Sequence, residues 1–342
     1  MTDLPPPEAP VPIPLPGIDY DALARRLGEA NLRKRLEHEQ GLNRDVVKGR
    51  KGWRLRKQVN LTVIARWTLM LTGLFDRGRR NLLQFSVERR DLFLPRLPEA
   101  FDGARILHLT DIHADCHPDL MPALISRVKG LAGEFDICLN TGDFRNHDLG
   151  GFQTSTEMTR QLCEAIATQH VAVLGNHDFI EVVPELEQAG MRVLLNESIP
   201  WRREGEQVWL VGVDDSSRYN TDDFDRAMPD IPTGDCIILL SHGPDVFREA
   251  AQRGCDLQLS GHCHGGQIAL PGGMPLVTRS FAPNRVCVGT WQQGSMLGHT
   301  SRGVGGTLPV RFFCPPEIGL FTLRRGPLEQ NLFGKRPFRR SD

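Results

Sequence analysis

The chain lacks a disulfide framework. Eight cysteines are scattered through 342 residues, far more chain than cross-linked mini-scaffolds occupy, so reduced thiols in a cytoplasmic protein are expected. A secretory signal is also missing: Met1-Thr2-Asp3-Leu4-Pro5-Pro6 has neither a basic start nor an apolar run. No internal repeat is visible, which excludes a solenoid. No long apolar run is free of charge. The nearest, residues 59–75, carries Arg66 at its centre, and a central arginine is costly inside a bilayer. Nor is there a large net charge: 41 Lys+Arg against 42 Asp+Glu leave −1. What remains is a chain of ordinary composition, long enough to bury a sizeable core in one large domain or two.

The balanced charge conceals an asymmetry. Residues 31–90 hold 16 Lys+Arg and 5 Asp+Glu, a net +11, which leaves −12 on the rest. A basic arm on an acidic body suits an anionic membrane surface better than nucleic acid, and a plain solvated basic helix is the bland alternative. The chain divides into a Pro-rich disordered lead (1–18), a basic helical arm (19–90), a main domain (91–326) and a loose basic tail (327–342). Within the arm, 19–40 has helical spacing of leucines and 48–57 is strongly basic. In 59–75, Thr62, Arg66 and Gly73 share one helical face, which fits a helix lying in the membrane interface. Packing against the body, or a single-pass span, are the alternatives.

From residue 105 short apolar runs alternate with helical segments at 120–131 and 156–167. The runs are 105–110, 136–140, 170–174, 208–213, 236–241 and 256–260, and 85–94 alternates like an earlier strand. That alternation predicts a layered α/β domain. Late runs at 268–270, 310–314 and 318–323 predict a second sheet, so two sheets flanked by helices. Residues 294–306 are glycine-rich and read as a loop.

Five of the runs lead into chemistry-bearing residues: Asp111 and His113, Asp143, Asn176, His242, and His262 with His264. Carboxyl ends of strands are where open α/β sheets bind ligands. Imidazole, carboxylate and amide oxygen together suit manganese first, with zinc or iron as the other choices, rather than calcium or thiolate-held zinc. Seven ligands with one bridging carboxylate give four to each of two divalent ions, a recurring device for cleaving phosphate esters.

The motifs Asp111-Ile112-His113, Gly142-Asp143, Gly175-Asn176-His177-Asp178, His242 and Gly261-His262-Cys263-His264, in this order, resemble those of the calcineurin-like metallophosphoesterases. The resemblance covers roughly 97–324. It implies a four-layer αββα sandwich. Asp111, His113, Asp143 and His264 would hold one ion; Asp143 would bridge to a second, completed by Asn176, His242 and His262. A metal-bridging hydroxide would attack phosphorus in line, and His177 would protonate the leaving oxygen. Asn146 stands where many relatives have a carboxylate, which suggests a better leaving group such as a pyrophosphate or nucleotide. Gly265-Gly266-Gln267-Ile268, Ser301-Arg302-Gly303 and Pro316-Glu317-Ile318 resemble a membrane-associated bacterial subgroup, some members of which hydrolyse UDP-diacylglucosamine in lipid A biosynthesis.

The expectation is therefore a dinuclear metal-dependent phosphohydrolase acting on a phosphodiester or pyrophosphate, lipid-linked as in UDP-diacylglucosamine, and peripheral on the inner membrane face. A soluble nucleotide or cyclic-nucleotide phosphodiesterase is the alternative enzyme. A metal-stabilised scaffold binding lipid or nucleic acid is the non-enzyme alternative. Arg145, Asn146, His147 and Asp178 are candidates for touching substrate or supporting the ligands, with Arg302 weaker. Asp214 and Asp215 are read as supporting residues or a turn. His108, His117, His170 and His299 are read as packing or surface, and Cys263 as packing.

Overall fold

Six of the apolar runs form strands, and they divide between two sheets. A computed structural model describes residues 17–47 (side chains to 39), 63–146, 152–278 and 280–331. His147, the 48–57 basic stretch, most of the Pro-rich lead and most of the tail lie outside the described residues. One six-stranded sheet runs Ser86–Leu94, Glu317–Arg325, Arg105–Leu109, Ile137–Asn140, Gln169–Ala172, Met191–Val193. The other runs Gly289–Gln293, Met296–Thr300, Leu257–Ser260, Ile237–Leu240, Glu206–Gly212, Glu197–Arg203. Both are mixed, with parallel centres: Ile106 registers with Ile137, Ile137 with Gln169, and Ile238 with Leu257.

Strands buried on both faces need apolar side chains at successive positions. Alternation then sends them to different layers. Ile106, Leu139, Val171 and Val173 join Leu210, Ile238, Leu240 and Leu259 in the core between the sheets. Leu107, Leu109 and Cys138 join Leu120, Leu124, Val128 and Leu162 under the helices of the first sheet. Val211, Ile237 and Leu239 join Phe224, Phe247 and Ala250 under those of the second. The result is helix, sheet, sheet, helix.

Several expectations are corrected. The late runs do not build the second sheet. Glu317–Arg325 inserts into the first, parallel to Ser86–Leu94 and antiparallel to Arg105–Leu109. Ala269–Leu270 pairs with Met274–Pro275 in a small hairpin, and Phe312 makes an isolated bridge to Ile268. The 294–306 stretch is not all loop, because Met296–Thr300 is a strand buried at every position. The single helix read over 19–40 is two, Tyr20–Leu27 and Glu29–Val47, parted at Gly28, whose φ of +99° is left-handed.

The first two helices of the N-terminal segment pack on the body. Leu23, Leu27, Leu32 and Leu36 are buried with Phe179 and Ile180 in the core of the first sheet. Beyond them, residues 63–71 form a helix followed by Phe75–Leu82. Among the described residues no helix is long and apolar enough to cross a membrane. The eight cysteines are all free.

Candidate metal centre

Strand ends from both sheets meet here. Asp111 and His113 follow Arg105–Leu109, Asp143 follows Ile137–Asn140, and Asn176 follows Gln169–Ala172. From the second sheet, His242 follows Ile237–Leu240, while His262 and His264 follow Leu257–Ser260. Asp111, His113, Asp143, His262 and His264 have φ of +51°, +43°, +60°, +67° and +50°. Each non-glycine residue held there costs roughly 1–2 kcal/mol, so the fold gives up stability to turn these side chains inward.

Close loop packing makes this possible. Gly142 has φ +89°, and a Cβ there would collide with the Gly175 backbone nitrogen and the Leu174 carbonyl carbon. A Cβ at Gly261 would collide with Thr110 and the Asp111 carboxylate. Gly142→Ala should destabilise the fold by about 2 kcal/mol or more, read as a lowered denaturant midpoint. An unchanged midpoint would refute this account of the loop.

Two donor clusters share Asp143. In the first, His113 Nε2 lies 3.3 Å from His264 Nε2 and 3.6 Å from Asp143 Oδ2. His264 Nε2 lies 3.4 Å from Asp111 Oδ1. Asp111, His113, Asp143 and His264 offer one ligand atom each, all within 4.8 Å of one another. In the second, His242 Nε2 lies 3.2 Å from Asp143 Oδ2, 3.0 Å from Asn176 Oδ1 and 3.2 Å from His262 Nδ1. His262 Nδ1 is 2.7 Å from Asn176 Oδ1.

The hydrogen bonds show what the clusters lack. His113 Nδ1 donates to the Arg145 carbonyl, 2.8 Å, and His242 Nδ1 to the Thr141 carbonyl, 2.8 Å. A carbonyl only accepts, so in the neutral rings both Nε2 atoms present lone pairs. They face carboxylate and amide oxygens, which also present lone pairs. Acceptors gathered on acceptors require a cation between them, and a backbone carbonyl fixing the tautomer is the usual support of a metal-bound histidine. The donor set fits divalent ions.

Electrostatics agree. Burial raises Asp111 to about 6 and lowers His113 and His262 to about 4. Burial also opposes a charge on His242, but Asp143, Asp111 and Asp215 outweigh it and raise it to about 10. Without metal the cluster therefore draws in a proton as its cation. His242, His177 and His113 overcome burial at Asp143 and hold it well below the usual carboxylate range.

The remaining candidates surround this centre. His177 donates its backbone N–H to Asp143 Oδ1, 2.8 Å, and packs its ring edge-on to His113 at 5.1 Å. The Asp178 carboxylate bonds to backbone amides, among them that of Asp143. That carboxylate accepts the backbone N–H groups of Gly175, Asp143 and Phe144, each at 2.8 Å, and so ties the two loops together. Arg145 is buried with its guanidinium 4.3 Å from the Phe179 ring centre. Asn146 donates its backbone N–H to Asp115 and lines a cavity with Phe75, His117 and Leu308. Asp214 accepts from Thr221 and Asp215 from Ser217 and the Tyr219 backbone. Arg302 pairs with Glu317 at 2.8 Å. Cys263 is buried.

Two arginines escaped the reading of the sequence. Arg311 is fully buried and donates to the carbonyls of His264, Gly303 and Gly305, clasping the His264 loop. An arginine inside the apolar run 310–314 was the available signal. Arg35 sits behind the 176–180 loop and looked like one charge among many on a basic helix.

The comparisons agree with this geometry. Residues 104–266 match the family model described as calcineurin-like phosphoesterase. The chain is 28% identical over 242 residues to the uncharacterized metallophosphoesterase YkuE of Bacillus subtilis, covering 67% of this chain and 82% of that one. It is 29% identical over 230 residues to the phosphodiesterase YaeI of Escherichia coli, covering 64% and 82%. It is 26% identical over 328 residues to the UDP-2,3-diacylglucosamine pyrophosphatase LpxG of Chlamydia muridarum, covering 76% and 95%. With the two-sheet sandwich and the cation-demanding cluster between its strand ends, the match over residues 104–266 marks a calcineurin-like phosphoesterase domain, and the protein is a metal-dependent phosphoester hydrolase.

Proposed function

We propose that this enzyme cleaves a phosphodiester or pyrophosphate bond in a lipid-linked substrate of the UDP-diacylglucosamine type while resting on an anionic membrane surface. Asp111, His113, Asp143 and His264 would hold one divalent ion, manganese by preference. Asn176, His242 and His262 would hold a second, with Asp143 shared. Such ions supply a water nucleophile near neutral pH and neutralise phosphoryl charge. His177, beside Asp143 and partly exposed, is positioned to give its proton to the leaving oxygen.

One observation carries the substrate class. A cavity of about 400 Å³ is lined by Val63, Phe75, Leu308 and Pro309 as well as Arg66, Arg79, His117 and Asn146, the last of which follows Asp143 by three residues. Nucleotide and phosphate would face the metals, and an acyl chain suits the apolar walls. The 26% identity to a diacylglucosamine pyrophosphatase supports the same choice. A screen with Mn²⁺ should show UDP-diacylglucosamine turned over in preference to cyclic nucleotides. Preference for a cyclic nucleotide would replace this reading with that of a soluble phosphodiesterase.

The membrane part rests on the helix over residues 63–71. Val63, Ile64, Trp67, Met70, Leu71 and Leu74 are all exposed, Leu71 at 84%. Their spacing puts them on one helical face. Arg77, Arg79 and Arg80 follow closely, so an apolar stripe flanked by cations suits an anionic lipid interface. Full-length protein should float with vesicles containing phosphatidylglycerol. The double variant Trp67→Glu/Leu71→Glu should stay behind while keeping its kcat on a soluble chromogenic diester. A variant that still floats would refute the stripe.

A further inference from the structure

The Glu29–Val47 helix carries a wholly buried arginine, Arg35. Its Nη2 donates to the backbone carbonyl of Asp178, 2.7 Å, and its Nε to Glu39 Oε1, 3.0 Å. Its Nη1 donates to Asp214, at the end of the Glu206–Gly212 strand. The guanidinium also lies 4.2 Å from the Tyr219 ring centre. Glu39 Oε1 in turn accepts the backbone N–H of Ile180, 3.1 Å. One helix thus grips the 176–180 loop at two points, Asp178 and Ile180, and ties it through Asp214 to the other sheet.

The loop's remaining holds point the other way. The His177 N–H goes to Asp143, and the Asp178 carboxylate goes to three backbone amides of its own loop and the Asp143 loop. His177 is therefore suspended between the metal centre and Arg35. A buried arginine must be desolvated, and well-packed apolar residues often do better for stability alone. A planar five-donor fork can hold a carbonyl and two carboxylates in fixed relation, which an apolar residue cannot. Arg35 also lies outside residues 104–266, the part that matches the family.

We propose that Arg35, supported by Glu39, is a positioning residue: it fixes the 176–180 loop so that the His177 ring meets the leaving oxygen. The N-terminal helix is thereby part of the catalytic apparatus. The inference rests on the reading of His177 as the proton donor to that oxygen.

The test uses leaving-group dependence in the full-length, manganese-loaded enzyme. A proton donor matters greatly for a poor leaving group and little for p-nitrophenolate. His177→Ala should slow a benzyl phosphodiester by about 10²-fold or more and the bis-p-nitrophenyl ester much less. Arg35→Met should show the same selectivity, roughly 10- to 100-fold on the benzyl ester, since a shift of about 1 Å costs that much. KM and metal content should not change. Arg35→Met combined with His177→Ala should be no slower than His177→Ala alone. If Arg35→Met fails to fold, Arg35→Lys serves: it keeps the charge but cannot span all three partners, and should show the same selectivity more weakly. Equal slowing of both esters in the Arg35 variant, with His177→Ala selective, would mean a merely structural arginine and overturn the proposal. An unselective His177→Ala would overturn the reading of His177, and this inference with it.

Discussion

Asp143→Asn should lower kcat on a phosphodiester by about 10³-fold, the equivalent of about 4 kcal/mol of lost transition-state stabilisation. Asp143 Oδ2 faces His113 on one side and His242 on the other. It is the one oxygen common to both donor clusters. An asparagine oxygen at that point lacks the full charge to serve two cations. If its amide turns the other way, the NH₂ meets the two histidine lone pairs and forms hydrogen bonds where metal belongs. Bound metal should fall below one equivalent per chain, measured by elemental analysis after gel filtration. The fold should survive, because an asparagine oxygen can still accept the His177 N–H that Asp143 Oδ1 accepts at 2.8 Å. His113→Ala, which touches only the first cluster, should lose about one equivalent and keep the second. An Asp143→Asn variant with full metal content and kcat within about threefold of the parent would contradict a shared carboxylate.

The strand ends were legible because the same constraint acts on both sequence and site. A strand buried on both faces must be apolar throughout, so Ile137–Asn140 and Ile237–Leu240 stand out against any background. The polar residue that ends such a run is conspicuous for the same reason. Which sheet a run joins was not legible. Val208 and Val171 have the same local chemistry, and only long-range pairing sends one strand to each sheet. Glu317–Arg325 illustrates the limit. Its neighbours are 231 residues back at Ser86 and over 200 back at Arg105, and no local pattern encodes that. Met296–Thr300 was hidden by Gly298 and its glycine-rich flanks. Gly298 is small for a tertiary reason: a side chain there would collide with the Trp291 ring on the paired strand.

The charge count of the N-terminal segment does not tell which of its residues are buried. A net positive stretch looks solvated, yet the leucines at 23, 27, 32 and 36 face the core, and Arg35 is inside rather than outside. A single residue's burial is invisible in composition. Its signature is a partner such as Asp214, 179 residues away, which a sequence alone does not pair. The same long-range geometry explains why Asp178 works as a clamp on backbone amides: its role depends on the Asp143 loop, 35 residues earlier, lying against it.

Chelation should abolish turnover and expose the strain of the empty centre. With metal at 100 times Kd, mass action adds about 2.7 kcal/mol. At about 2–4 °C per kcal/mol for a domain of this size, removal should lower Tm by roughly 5–10 °C. The pH dependence is more telling. His242 rises to about 10 in the metal-free centre because the Asp143 and Asp111 carboxylates overcome burial. A group whose pKa is higher folded than unfolded stabilises the fold while protonated. That contribution is complete below the unfolded value of about 6.5 and is lost as pH climbs through about 10. Asp111, raised to about 6 by burial, acts the same way but is finished by neutral pH. His113 and His262, lowered to about 4, matter only on the acid side. Between about pH 7 and 9.5, then, the stabilisation from His242 declines. Chelated protein should lose Tm steadily over that window, and manganese-loaded protein should not, since its centre has its cation without the proton. Parallel Tm curves for the two forms would mean that no cation is missing from the centre, and His242→Ala should remove the difference in slope.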